Sequence, residues 1–132
     1  MDAITPKNHA DQAGVDGHSH IVRPAEMEWQ KTSFPGCWAK PLLFDAKSGL
    51  ATMLMKFDPG AVLPDHEHVQ IEQTYVISGK LELQTQGAKH ELSEGDAVYF
   101  DSTAPHCYRR VGAKRTTALV VTTSVERAVR PV

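Results

Sequence analysis

The sequence lacks the long apolar runs that would anchor it in a membrane. Its longest uninterrupted aliphatic stretch is residues 118–121, far short of the ~20 residues that a membrane-spanning helix needs. Residues 1–14 are polar and carry Asp2, Lys7 and Asp11, so they do not resemble the apolar segment of a secretory signal. We therefore expect a soluble cytoplasmic protein with no membrane partner.

The chain also lacks an excess of charge of either sign. Its 14 Lys and Arg residues oppose 16 Asp and Glu residues, for a net charge of −2, whereas nucleic-acid binding needs a clustered basic face. The nearest cluster is Arg109, Arg110, Lys114 and Arg115 around a glycine, which we interpret as a solvated hairpin tip. We expect no nucleic-acid partner.

Cysteine is scarce as well. Cys37 and Cys107 are the two cysteines of the chain, too few for the disulfide framework of a small secreted domain. We expect both to be reduced thiols, as is usual in the cytosol.

Helical periodicity is missing, and strand-sized runs replace it. No window of a dozen residues repeats apolar positions every 3.6 residues, whereas short runs of β-branched, aromatic and aliphatic residues are frequent. The predicted strands are residues 20–23, 37–44, 50–57, 73–78, 80–84, 89–92, 97–100, 106–111 and 116–123. The sequence is therefore predicted to be all-β.

The chain length and the turn-forming residues refine this prediction. A chain of 132 residues with 41% apolar content suits one domain, which we place at residues 20–132 after a flexible N-terminal arm at residues 1–19. Asp58-Pro59-Gly60 suits a type II turn, and Ser78-Gly79 lies between two apolar runs as a tight hairpin would. Many short strands joined in this way indicate an antiparallel sandwich or a closed jelly roll.

A compact group of chemistry-bearing residues follows one of these turns. His66 and His68 are separated by one residue, so on an extended segment both imidazoles point to the same face. Glu72 follows four residues later, close enough to bring its carboxylate beside them. Imidazole nitrogen with carboxylate oxygen is a ligand set for a divalent transition metal: Fe, Mn, Ni, Zn or Cu.

A third histidine is placed to join this group from a distant strand. His106 follows Pro105, and a proline fixes the chain direction at such a turn, so the ring can be aimed into a barrel. His-x-His alone is a weak signal: His18-Ser19-His20 has the same spacing without a carboxylate at the fourth position beyond it. We therefore predict one metal site formed by His66, His68, Glu72 and His106.

The spacing Gly-x5-His-x-His-x3-Glu-x6-Gly over residues 60–79 resembles the first conserved motif of the cupin superfamily, with all marker positions filled. The second cupin motif is matched at Gly95 and His106. It departs from the usual pattern at Asp101, Thr103 and Arg110, which replace proline, glycine and asparagine. Motifs and surrounding strands together cover roughly residues 36–123. The resemblance implies a double-stranded β-helix, the jelly-roll barrel of small single-domain bacterial cupins, holding one divalent metal.

The resemblance also guides the expected function. Residues 29–44 resemble, more weakly, the lead-in strand of diketone-cleaving dioxygenases and of anti-sigma factor cupin domains. Our leading hypothesis is an enzyme, an Fe(II)-type dioxygenase that acts on a small polar carbonyl compound. The alternatives are a non-catalytic module in which the metal anchors a small ligand, and a redox-neutral isomerase or lyase. Small cupins commonly pair through outer strands, which implies a homodimer.

The lining of a substrate pocket follows from strand parity. Met53 and Met55 share one face of their predicted strand with Phe57, and this face is expected to point into the barrel. Tyr108 has the same parity as His106 and could present its hydroxyl to a ligand. Met53, Met55 and Tyr108 are therefore the candidate pocket residues, with plain core packing as the competing interpretation.

Overall fold

The computed structural model describes residues 18–63, 71–85, 87–101 and 106–123. They form ten β-strands and one short 3-10 helix, Pro24–Glu26. The strands are β1 Gln30–Lys31, β2 Cys37–Asp45, β3 Leu50–Phe57, β4 Val62–Leu63, β5 Ile71–Ser78, β6 Lys80–Thr85, β7 Ala88–Leu92, β8 Ala97–Asp101, β9 His106–Val111 and β10 Thr116–Thr123. The all-β prediction is confirmed.

The strands form two antiparallel sheets. The larger sheet has the order β1-β2-β3-β10-β5-β8, and the smaller has the order β4-β9-β6-β7. Consecutive strands β5 and β6 belong to different sheets, as do β7 and β8 and also β9 and β10. The chain therefore crosses repeatedly between the sheets, which is the arrangement of a jelly-roll barrel.

Most strand predictions agree with the structure, and three of them share both bounds with β3, β9 and β10. The strand predicted at residues 20–23 is wrong. The Ile21-Val22 pair is followed by Arg23 and then by Pro24, which begins the 3-10 helix. A proline at this position favours a turn. The segment is instead tied to the larger sheet by the Lys40 ammonium, which donates a hydrogen bond to the Pro24 carbonyl oxygen at 2.8 Å. The two-residue strands β1 and β4 were too short to predict.

The interior is layered because inward residues alternate along the long strands β3, β5 and β10. In the larger sheet Ala118 of β10 pairs with Met55 of β3 and Val76 of β5, and all three are fully buried. The smaller sheet adds Leu81 and Leu83 of β6 to the same apolar cluster. The core therefore lies between the two sheets.

One end of the barrel is closed by three turns, at residues 78–79, 93–95 and 112–114, which we call the turn end. Gly79 has φ +79°, a conformation that favours glycine. The Thr116 hydroxyl accepts from the Lys80 amide at 3.1 Å and donates to the Lys80 carbonyl at 3.0 Å. A surface depression of about 450 Å³ opens here beside the ion pair of Lys114 and Glu94.

The basic cluster at the β9–β10 turn is not uniformly solvated, which corrects the hairpin-tip interpretation at one position. Arg110 is 9% exposed, and its guanidinium donates to the carbonyl oxygens of Ala113 at 2.9 Å and Lys114 at 3.2 Å. Arg109 and Arg115 are exposed, as predicted. Arg110 therefore stabilises the turn from inside.

Three further expectations concern the N-terminal arm, the membrane and the cysteines. Residues 1–17 lie outside the described residues, so the flexible N-terminal arm stays a prediction. Among the described residues, no helix is long and apolar enough to cross a membrane. Cys37 on β2 and Cys107 on β9 lie in different sheets, and no disulfide joins them.

Candidate metal centre

Two of the four predicted ligands lie where strands enter the barrel from the end opposite the turn end. Glu72 is the second residue of β5 in the larger sheet, and His106 is the first residue of β9 in the smaller sheet. Along β5 the exposed positions Ile71 and Gln73 flank the buried Glu72. The pleat therefore directs both ligands inward from facing sheets.

The two side chains meet in the interior. The Glu72 Oε2 atom is 3.3 Å from the His106 Nε2 atom, and both side chains are fully buried. This separation is longer than the ~2.7–2.9 Å of a charge-assisted hydrogen bond. Two ligand atoms that each lie about 2.1 Å from one ion are about 3.0 Å apart at a right angle and about 3.4 Å apart at a tetrahedral angle. The pair therefore fits two neighbouring positions around one metal ion.

A buried hydroxyl pair lies one layer deeper. The Tyr108 hydroxyl is 2.9 Å from the Thr74 Oγ1 atom, and the Glu72 carboxylate lies close to this pair. Burial, followed by the negative charge of Glu72, raises the pKa of Tyr108 well above its usual range. Tyr108 is therefore a neutral hydrogen-bond donor at any physiological pH.

The candidate pocket residues all point inward, and they belong to the apolar core. Met53 pairs with Val120, which in turn pairs with Thr74, so Met53 lies in the layer next to Glu72. Met55 lies one layer further toward the turn end and is fully buried. The predicted parity of Met53 and Met55 is confirmed. Their contact with a substrate stays a prediction, as it does for Tyr108.

The other two predicted ligands, His66 and His68, fall outside the described residues. Within the residues that the structure describes, no group of three or more His, Cys, Asp or Glu side chains could hold a metal ion. The full ligand set of His66, His68, Glu72 and His106 therefore stays a prediction, supported at two of its four positions by the geometry above.

The sequence reading missed Thr74 as a member of this site. Thr74 is two residues past Glu72 on the same strand and is 1% exposed, so the alternation that predicts an inward Glu72 also predicts an inward Thr74. A buried hydroxyl needs a hydrogen-bond partner, and this requirement is the signal that would have drawn attention to it.

The fold is similar to several solved structures. KdgF from Halomonas sp. matches with a TM-score of 0.69 and 26% identity, over 80% of this chain and 94% of that chain. The cupin domain of an XRE family transcriptional regulator from Enterobacter cloacae matches with a TM-score of 0.59 and 28% identity, over 66% of this chain and 95% of that chain. A predicted oxalate decarboxylase from Thermotoga maritima matches with a TM-score of 0.70 and 22% identity, over 79% of this chain and 98% of that chain.

Sequence comparison gives the family directly. No curated protein matches the chain significantly, but the profile of the cupin domain family (Cupin_2) matches residues 53–122, more than half of the chain. This region contains both predicted motifs and the described pair Glu72 and His106. With the two-sheet barrel and its structural neighbours, this match shows that the chain belongs to the cupin domain family.

Proposed function

We propose that this chain is an Fe(II)-dependent dioxygenase that acts on a small polar carbonyl compound in the cytoplasm. The metal would be held by His66, His68, Glu72 and His106. The observation that carries the proposal is the buried approach of the Glu72 carboxylate to the His106 imidazole at 3.3 Å. A carboxylate is expensive to bury without a positive partner, and a divalent ion supplies one. Mn, Ni, Zn and Cu share this ligand preference, and Fe is favoured for the proposed reaction.

The substrate class follows from charge and coordination number. Three neutral imidazoles and one carboxylate reduce a divalent ion to a net charge of +1, and an octahedral ion would retain two neighbouring open positions. An anionic group with two oxygens, such as an enolate, a hydroxy-ketone or a carboxylate, suits such a pair of positions. Iron bound here would activate both the substrate and dioxygen for reaction.

The first experiment measures metal content. Glu72→Gln keeps the shape of the side chain and removes its charge, while His106→Ala removes a nitrogen ligand. Their matched controls are Glu91→Gln and His90→Ala, both at exposed positions of β7. Elemental analysis after reloading with Fe(II) is expected to give one equivalent in the wild type and both controls and much less in the two site variants. Equal metal content in all five proteins would contradict the site.

The second experiment measures turnover. Iron-loaded wild type is expected to consume oxygen with at least one member of a panel of diketones, hydroxy acids, thiols and flavonols, and Glu72→Gln is expected to consume none. Oxygen uptake that is absent with every compound would contradict the dioxygenase proposal while leaving the metal site intact.

A second candidate, a redox-neutral isomerase or lyase, is favoured by the buried hydroxyl pair of Thr74 and Tyr108 beside the Glu72 carboxylate. These reactions move a proton beside a polarised carbonyl group, and a carboxylate in a hydrogen-bonded series can take part in such a transfer. Anaerobic turnover separates the two candidates, because an isomerase or lyase keeps its rate without oxygen and a dioxygenase does not.

A third candidate is a non-catalytic module in which the metal anchors a small ligand. Its support is the 28% identity with the cupin domain of a transcriptional regulator. This candidate predicts that a ligand raises the melting temperature of the metal-loaded protein and is recovered chemically unchanged. Detection of any product would eliminate it.

We also propose that the chain forms a homodimer through the outer face of β5 and β8. Ile71, Tyr75, Ile77 and Tyr99 point outward there, with exposed fractions of 45% to 74%. Together they expose on the order of 400 Å², about half of the ~800 Å² that each partner buries in a standard interface. The neighbouring outward positions of β10 add Leu119 and Val121.

A second copy of the chain is the occupant that the chemistry of this face favours. The described outward side chains of β5, β8 and β10 carry no charge. A two-fold interface brings each surface patch against its own copy. A charged patch would repel its copy, whereas the described side chains of this patch would not. The face is also separate from the interior that holds Glu72 and His106.

Sedimentation analysis tests the dimer. The wild type is expected at twice the chain mass of 14.5 kDa. Tyr99→Glu is expected to be a monomer, whereas Leu43→Glu, at an exposed apolar position of β2, is expected to remain a dimer. A monomeric wild type would overturn the proposal, and dimerisation only after removal of residues 1–17 would assign the face to that segment instead.

A further inference from the structure

Tyr108 lies beside both of the described candidate ligands, Glu72 and His106. Its ring meets the His106 ring edge-on, with centroids 5.7 Å apart and an interplanar angle of 74°. Its hydroxyl lies 2.9 Å from the Thr74 Oγ1 atom, and burial together with the charge of the nearby Glu72 carboxylate raises the pKa of Tyr108. Tyr108, Thr74, Glu72 and His106 are each at most 1% exposed. One side chain therefore connects a ligand of the larger sheet to a ligand of the smaller sheet.

The chemistry of these groups fixes the direction of the hydrogen bonds. A metal-bound carboxylate only accepts, so Tyr108 can serve Glu72 only as a donor of its single hydroxyl proton. The Tyr108 oxygen then acts as the acceptor for Thr74, whose hydroxyl is the donor. The series runs from Thr74 to Tyr108 to Glu72, and each member restrains the orientation of the next.

We propose that Tyr108 is a positioning residue that holds Glu72 and His106 in the arrangement that receives the metal, with Thr74 orienting the Tyr108 hydroxyl. This inference rests on the proposed function, since it presupposes that the two residues are ligands. A carboxylate without this restraint would sample other rotamers and would lose entropy on binding the ion. The hydroxyl is engaged with Glu72 and Thr74, so its role is to orient a ligand rather than to contact substrate.

The main test compares Tyr108→Phe with Tyr75→Phe. Both substitutions remove one tyrosine hydroxyl, but Tyr75 is on the outward face of β5, and Tyr108→Phe retains the ring that packs on His106. The probe is Co(II) alone, whose affinity is measured by competition with a chelator and whose visible absorption reports the coordination geometry. Tyr108→Phe is expected to weaken Co(II) binding 10- to 100-fold, the usual effect of losing a hydrogen bond to a ligand, and to alter the absorption spectrum. Tyr75→Phe is expected to leave both unchanged.

Thr74→Val provides a second variant in case Tyr108→Phe does not fold. It removes the hydroxyl that orients Tyr108 at nearly constant volume, and it is expected to weaken Co(II) binding roughly three- to tenfold, as the loss of one neutral hydrogen bond would. A merely structural role for Tyr108 would lower the melting temperature of the metal-free protein and leave the Co(II) affinity of the folded protein unchanged.

The outcomes separate this inference from the proposed function. If the wild type does not bind Co(II), the proposed metal site fails. If the wild type binds Co(II), and Tyr108→Phe or Thr74→Val binds it as tightly and with the same spectrum, the positioning role of Tyr108 is overturned while the metal site stands.

Discussion

Replacement of Gly79 by alanine should be among the most destabilising single-methyl changes in this barrel. Gly79 joins β5 to β6 with φ +79°, where an L-residue costs about 1–2 kcal/mol. A methyl group at this position would also lie 2.5 Å from the Arg115 carbonyl oxygen and 2.8 Å from the Thr116 Cα atom. Both neighbours are backbone, and the Thr116 side chain is held by two hydrogen bonds to Lys80, so little relaxation is available.

The expected magnitude combines these effects. Overpacking against a rigid neighbour costs about 1–3 kcal/mol. The lower entropy of alanine in the unfolded chain favours folding by about 0.4–1 kcal/mol and offsets part of the strain. The net loss in the free energy of unfolding is about 3 kcal/mol. For a total stability of about 5–15 kcal/mol and a urea dependence near 2 kcal/mol per molar, the midpoint should fall by roughly 1.5 M.

Gly112→Ala is the matched control. Gly112 has φ +80° and no atom within 4 Å of the added methyl group, so this change introduces the backbone strain without the clash, at a cost of about 1 kcal/mol. Urea denaturation followed by the fluorescence of Trp29 and Trp38 measures both variants. Equal midpoints for Gly79→Ala and Gly112→Ala would show that the Arg115–Thr116 backbone moves aside easily, and the reasoning about the clash would be refuted.

Three further changes test other parts of the barrel. Burial, and secondarily the charge of Asp58, raise the pKa of Cys37 to about 11, so at pH 8 about one Cys37 thiol in a thousand is ionised. Iodoacetamide should therefore label Cys37 only after the protein unfolds, as measured by peptide mass mapping. Rapid labelling of the folded protein would contradict this expectation. Arg110→Met should lower the free energy of unfolding by about 2 kcal/mol because two turn carbonyls lose a charged donor. Arg110→Lys should be destabilised as well, because an ammonium lacks the planar, two-pronged geometry of a guanidinium. Full stability of either variant in urea denaturation would count against this role of Arg110. Met55→Ala should cost about 3 kcal/mol through a core cavity with unchanged metal content, and a loss of metal would instead place Met55 at the site.

The sequence predicted the strands well where hydrophobic alternation and turn residues agree. The Pro59-Gly60 turn is one such place: the Ala61 amide donates to the Asp58 carbonyl at 2.9 Å and Gly60 has φ +77°, as a type II turn requires. Residues 20–23 failed because β-propensity without a neighbouring strand to pair with does not make a sheet.

The candidate site was predictable in its residue types and only partly in its contacts. Parity alone predicts that Glu72, His106 and Tyr108 point inward, and all three do. Parity does not say which residues of the two sheets meet, because that depends on how the sheets are offset across the core. Only the three-dimensional structure shows that Tyr108 lies beside Glu72. The same holds for the Arg110 guanidinium, which donates to carbonyl oxygens of its own hairpin.

The separation of the turn end from Glu72 has a practical consequence. Glu72 and Gly79 lie near opposite ends of β5, about 23 Å apart for an extended strand. A dye or a surface linker attached at Glu94 or Lys114 would therefore sit on the far side of the barrel from the candidate ligands Glu72 and His106. Immobilisation through these positions leaves the end of the barrel that holds Glu72 and His106 facing solution, so the proposed binding of a small molecule can be assayed on a chip.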